Sequence, residues 1–417
     1  MKKILLTLIS LTLLLTVTVN IAGCSTRVQA TDLMRGIVPR EVEELTDLSG
    51  QNADATDFAI RLFKASATGD ENTLISPLSV LFAIAMTANG AKGETRAQIE
   101  QTLGMSIEEL NRYLYTYTNS LPQGEKYKLT LANSLWLTDD ERFTVEKSFL
   151  QTGADYYGAD VYKAPFDDKQ TVKDINNWVE NETDGMITNI LDEIPPEAVM
   201  YIVNALAFEA EWTDAYKKNQ VREGIFTAEN GERQKIDMMY GTERLYLEDE
   251  NSTGFVKYYS GKKYAFVALL PDEDITVSQY IASLDGKAIR NLLDNAANTD
   301  VSTAIPKFET EYDTEMSDLL IGMGIKNAFD PDYADFTGLG SSTDGNIFIN
   351  RVIHKTQLQV GEKGTRAGAA TVVEMTDKMS MPHESKQVYL NRPFVYMIID
   401  CENNIPIFIG AQMNING

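Results

Sequence analysis

The sequence predicts one α+β domain running from residue 53 to residue 417. Apolar residues recur at helical spacing near the start of that span and at strand spacing through most of the rest. No internal repeat, low-complexity stretch or Pro/Gly-rich linker divides it. The regular strand–helix alternation of a parallel α/β sheet is lacking as well, which leaves one mixed α+β domain as the reading.

Each element carries its own signal. Helical spacing gathers around Phe58, Leu62 and Phe63, and a turn follows at Asp70, Glu71 and Asn72. A second apolar helix runs from Val80 to Thr87 and stops at Asn89-Gly90. "KLTLANSLWLT" (128–138) and "VMYIVNALAFEAEW" (199–212) are almost uncharged, which suits central strands. "YAFVALLPDED" (264–274) and "VSTAIPKFETEYD" (301–313) each predict one more strand. "TEMSDLLIGMGIKNAF" (314–329) predicts a short amphipathic helix closed by glycine. "FVYMIIDCENNIPIFIGAQM" (394–413) predicts two strands joined by a turn at Asn403-Asn404.

The N-terminus speaks to location. Met1, Lys2 and Lys3 precede an apolar stretch from Ile4 to Gly23, the pattern of a secretion signal over residues 1–23. It ends "NIAGCS", which resembles the lipobox of bacterial lipoproteins: Ile21, Ala22 and Gly23 before the cut, Cys24 as the lipidated first residue. The alternative is an ordinary cleaved signal. A spanning helix is disfavoured, because the stretch is barely long enough and carries polar residues. Residues 24–52 are polar and read as a tether, so the expected setting is the outer face of a bacterial membrane, or secretion. With Cys24 lipidated only Cys401 remains, and no internal disulfide can form. About 390 residues then remain to bury a core. The net charge of −24 argues against nucleic acid, anionic lipid headgroups and heparin-like polyanions as partners.

Catalytic chemistry has little to work with. The histidines are His354 and His383, and no HExxH, CxxC, GxSxG or phosphate-binding glycine loop is present. Cys401 sits in an apolar strand, where a thiol is inert. The reading is of a protein that is no enzyme and takes no cofactor or marked metal ion.

One segment does not read as ordinary surface. In "GEKGTRAGAATVVEMTDKMS" (361–380), alternate residues Thr365, Ala367, Ala369, Thr371, Val373 and Met375 are uncharged, while Arg366 and Glu374 lie on the other parity. That is a strand with one face fit for burial, written where loop chemistry flanks it.

Several segments together resemble the serpin family. "LISPLSVLFAIAMTANGAKGETRAQIEQTLG" is similar to the family's early helix, with Ser-Pro-x-Ser at its start and Gly-Ala-x-Gly-x-Thr after it. "VNALAFEAEWTDAY", "IHKTQLQVGEKGTRAGAAT" and "NRPFVYMIID…NIPIFIGAQMN" resemble its strand-and-Trp segment, its hinge and its closing strands. The matches fall in family order along residues 53–417. The resemblance implies large mixed sheets with surrounding helices, and an exposed reactive-centre loop that a serine peptidase cleaves. It implies suicide inhibition by a metastable monomer, the cleaved loop entering the central sheet from Thr365 onward and trapping the acylated peptidase.

The hinge expected on that basis comprises Glu362, Gly364, Thr365, Ala367, Gly368, Ala369 and Ala370. Arg366 and Gly368 depart from the family's usual Glu and Ala. The family's loop length, counted from Glu362, places the scissile bond at Lys378-Met379, which suits trypsin-like peptidases. A bond at Met379-Ser380 is the alternative and would suit subtilisin-like, elastase-like or chymotrypsin-like ones. Glu374 and Asp377 add discrimination among targets. Ser76, Ser79, Asn204 and His354 match the polar cluster that lets the central sheet part. Trp212 matches a packing Trp at the top of that sheet, and His383 reads as a solvated loop residue. The competing reading is a non-inhibitory serpin-fold protein that binds a partner.

Overall fold

A computed structural model describes residues 28–365 and 386–415, apart from residues 68, 142, 196, 197 and 344. The chain begins with β1 (Thr31–Asp32), α1 (Ser49–Ser66), β2 (Thr73–Ile75) and α2 (Pro77–Ala88). It continues through α3 (Gly93–Leu103), α4 (Ile107–Ser120), β3 (Tyr127–Thr138) and β4 (Phe143–Val145). Next come α5 (Lys147–Tyr157), β5 (Asp160–Ala164), α6 (Lys169–Glu182) and β6 (Met200–Glu211). A run of strands follows: β7 (Val221–Thr227), β8 (Arg233–Glu248), β9 (Ser252–Tyr258) and β10 (Tyr264–Pro271). Then α7 (Val277–Ser283) and α8 (Gly286–Asp294) lead to β11 (Ala297–Pro306), β12 (Phe308–Glu315) and α9 (Ser317–Met323). The described part closes with β13 (Gly340–Ser342), β14 (Arg351–Gly361), β15 (Gly364–Thr365), β16 (Lys386–Tyr389), β17 (Phe394–Asp400) and β18 (Ile405–Gln412).

Two mixed sheets organise the molecule. The first has the order β1-β5-β3-β6-β15-β14-β12. The second runs β16-β11-β8-β9-β10-β17-β18-β2, with β7 beside β8. Between them lies α2, apolar on every side and buried along its whole length. Ser76 caps it and Pro77 opens it, where a missing N–H costs nothing. On the opposite face of the first sheet, Ile175, Trp178 and Val179 of α6 cover Trp136, Tyr201, Val203 and Ile353. The seam between β6 and β14 is therefore enclosed from both sides.

Most predicted elements appear where expected, including the central strands β3 and β6 and the pair β17–β18 around a turn in which Asn404 has φ +52°. Gly324, at φ +125°, closes α9. Two expectations fail in detail. Residues 301–313 are not one strand: β11 belongs to the second sheet and β12 to the first, and the chain crosses over at Lys307. Pro306, which has no N–H for a ladder, marks the hand-over.

The expected tether also differs. Residues 24–27, with Cys24, lie outside the described residues, but from Val28 the segment is docked. The N–H groups of Gln29 and Ala30 donate to buried Asp174 of α6 at 2.7 and 2.8 Å. β1 pairs with β5, Leu33, Met34 and Ile37 pack on the core, and Arg40 pairs with Asp155 at 2.6 Å. A mostly polar composition concealed these few anchors, and α1 begins at Ser49, inside the segment read as a tether.

Candidate functional site: the seam between β6 and β14

The two strands that flank the seam run parallel and pair directly over three rungs, Tyr201 with Arg351, Ile202 with Val352 and Val203 with Ile353. Immediately beyond, side chains take over. Asn204 and His354 occupy the next level on the two strands, both buried and both facing α2. The N–H of Ser76 donates to Nε2 of His354 at 3.1 Å, and Ser79 donates its hydroxyl to Asn204. The Ser76 hydroxyl in turn accepts the N–H of Ser79 at 3.3 Å. The four residues that resemblance grouped are thus brought together, and they tie one end of α2 to both strands.

A fifth member was missed. Asn133 on β3 stands directly across from Asn204 and accepts from its amide. Its signal was faint, a single amide in an apolar strand. His354 accepts the Ser76 N–H, so Nε2 must be unprotonated, and burial pushes the ring's pKa down to about 4.

At the other end of the seam the expected hinge begins. Gly364 pairs with Gly361 of β14 and Glu211 of β6, and Thr365 with Val360 and Ala210. Two residues of the loop thus already stand between the strands, antiparallel to both. Gly364 does more than supply freedom: a Cβ there would lie 1.9 Å from the carbonyl oxygen of Ala210. Thr365 is fully buried, and its hydroxyl lies 2.5 Å from that of Tyr259.

The turn that feeds this rung is held from outside. Trp212, expected as packing, also bonds the turn, its N–H donating to the Lys363 carbonyl and its Nε1–H to that of Gly361, each at 2.8 Å. Tyr216 N–H donates to the Glu362 carbonyl at 2.9 Å. Lys307 reaches the Glu362 carboxylate at 2.9 Å and, against partial burial, helps hold it below the ordinary carboxylate range. Beneath them Lys257 is buried over the faces of Trp212 and Tyr216 and paired with Glu243 at 2.7 Å. None of Tyr216, Lys257, Tyr259 and Lys307 carried a signal, because each joins the site only through long-range packing.

The remaining hinge residues Ala367, Gly368, Ala369 and Ala370, with Arg366, Lys378, Met379, Ser380 and His383, lie outside the described residues. Among the described residues no group of three or more His, Cys, Asp or Glu side chains is placed to hold a metal ion. Cys401 is a half-buried free thiol pushed up to about 12 by its burial and by Asp400.

The sequence model described as Serpin (serine protease inhibitor) matches residues 53–415. A serpin-like protein of Thermococcus kodakarensis is 30% identical over 86% of this chain and 84% of its own. Human leukocyte elastase inhibitor is 29% identical over 85% of this chain and 97% of its own. Tengpin, a thermophilic serpin, is 50% identical, and its native crystal structure superposes with a TM-score of 0.90 over 93% of this chain and all of its own. Its latent structure superposes with 0.80 over 90% of this chain and all of its own. The chain belongs to the serpin family.

Proposed function

We propose that this protein is a suicide inhibitor of serine endopeptidases, cleaved at Lys378-Met379 and anchored outside a bacterial cell by lipid on Cys24. The observation that carries the reading is the rung formed by Gly364 and Thr365 between β6 and β14. Continued in the same register, the chain brings Ala367, Ala369 and Thr371 to the buried face, Thr371 arriving level with Asn204 and His354. The two charges of the other parity are matched in that register: Arg366 comes level with Glu209, and Glu374 with Arg351.

The chemistry is an interrupted hydrolysis. The peptidase serine oxygen forms an ester with the Lys378 carbonyl carbon, the Lys378–Met379 amide bond breaks, and the serine proton leaves on the Met379 amine. Insertion of the freed strand then outruns attack of water on the ester. Lys378 suits a pocket carrying a carboxylate, so trypsin-like targets are favoured over subtilisin-like ones.

Mixing the purified protein with trypsin and with subtilisin tests this on denaturing gels and by mass. The expected result is a detergent-stable adduct, a C-terminal fragment starting at Met379 and a lipid mass on Cys24. A fragment starting at Ser380 keeps the mechanism and moves the specificity. Clean cleavage without an adduct across a peptidase panel overturns the inhibitory reading in favour of a binding protein.

A further inference from the structure

The starting rung raises a question that the trapping mechanism leaves open: what decides which residue occupies it. Side chains alternate along a strand, so a slip of one residue would send Arg366 to the buried face and every later residue to the wrong one. Two features fix the choice. At the Glu211–Gly361 level a Cβ would collide with the Ala210 carbonyl, so Gly364 fits there and neither Lys363 nor Thr365 does. At the next level Tyr259 presents a hydroxyl.

Tyr259 is itself rigidly held. Its N–H donates to the Tyr264 carbonyl at 3.0 Å, and its own carbonyl accepts the Thr213 hydroxyl at 2.8 Å. Its ring stacks on Trp212 with centroids 4.3 Å apart and 12° between planes, and meets the edge of Phe208 at 5.2 Å. The ring is wholly buried, and its hydroxyl meets the Thr365 hydroxyl at 2.5 Å. A buried hydroxyl that loses its partner is costly, so this position selects a residue that can hydrogen-bond.

We infer that Tyr259 is a positioning residue for the trapping reaction: its hydroxyl holds Thr365 in the first rung and so fixes the register in which the cleaved loop enters the sheet. This rests on the inhibitory reading above. A nucleated, registered strand inserts faster than one that must first find its place, and insertion competes only with hydrolysis of the ester.

The test compares the parent protein with Tyr259→Phe, Thr365→Val, the double variant and Thr365→Ser. The readouts are moles of inhibitor consumed per mole of peptidase trapped, and the rate of loop cleavage. Each of the first two single variants is expected to raise consumption about five-fold, the worth of one hydrogen bond. The double variant should be no worse than either, Thr365→Ser should restore the parent value, and cleavage rate should not move. Unchanged consumption in both single variants, or Thr365→Ser as poor as Thr365→Val, overturns the inference. If the parent traps no peptidase, the inhibitory reading fails by itself. Amide exchange at Gly364 and Thr365 then decides: faster exchange in Tyr259→Phe supports the latch, and equal protection overturns it.

Discussion

The β6–β14 seam and the β17–β18 hairpin are built from the same material to opposite ends. The hairpin is laddered from Phe394 against Gln412 to Asp400 against Ile405, and every residue of both strands is buried. Apart from Asp400 and Gln412 at the strand ends, its contacts are mostly Val, Ile, Phe, Tyr and Met side chains, whose separation would expose apolar surface with nothing to replace it. The seam has three direct rungs, then Asn204 and His354 bonded to Ser76 and Ser79, then two borrowed loop residues. Hydrogen bonds can be exchanged for others of the same kind when a new strand arrives, whereas apolar packing cannot. The difference teaches what the proposed mechanism draws on: the joint that would part is polar and short, and the frame that would stay closed is apolar and long.

The largest effect should come from damage to the frame. Phe408 lies on β18 opposite Ile398 and is 1% exposed. Phe408→Ala leaves a cavity and should cost about 3–5 kcal/mol, seen as a lowered denaturant midpoint. The division of cleaved loop between adduct and hydrolysed product should stay at its parent value. If that division shifts as strongly as it does for seam variants, the contrast between the two regions is lost.

Next in size is the titration of the seam. His354 has a folded pKa of about 4 against an ordinary 6.5, because burial disfavours its cation. A state in which water reaches the ring therefore binds more protons between those values than the closed seam does. The closed form is fully favoured above pH 6.5, loses ground as pH falls, and by pH 4 has given up about 3 kcal/mol. The rate at which the warmed protein loses trapping capacity should accordingly rise from pH 6.5 to 4. His354→Gln should flatten that slope, while Phe408→Ala should keep it. A slope unchanged by His354→Gln would assign the pH dependence to other groups.

What could be read from the sequence follows the same division. The frame was legible because its signals are local: "FVYMIID" and "IPIFIGAQ" are strands by composition, and Asn403-Asn404 between them is a turn. The seam was legible in part, through a resemblance that grouped Ser76, Ser79, Asn204 and His354 although 278 positions separate Ser76 from His354. The split of 301–313 at Lys307 was not, since both halves have strand composition and only sheet membership separates them. Nor was the docking of residues 28–40, where Leu33, Met34 and Ile37 are three apolar residues in polar text. Tyr259 is one aromatic among many until Thr365 is placed against it.

Asn133 gives the smallest effect and the sharpest division. It sits on β3, one strand removed from the seam, and its side chain accepts from Asn204, its ladder partner on β6. Asn133→Ala should leave the Asn204 amide short of that acceptor in a buried site, at a cost of about 1–2 kcal/mol. If the polar cluster is a joint, this cost falls on the closed seam and is relieved when the strands part. Loss of trapping capacity in warmed protein should then speed up by about ten-fold, alongside the fall in denaturant midpoint that the same native-state cost brings. If the midpoint falls and that rate does not change, Asn133 is structural support like the hairpin, and the joint ends at β6.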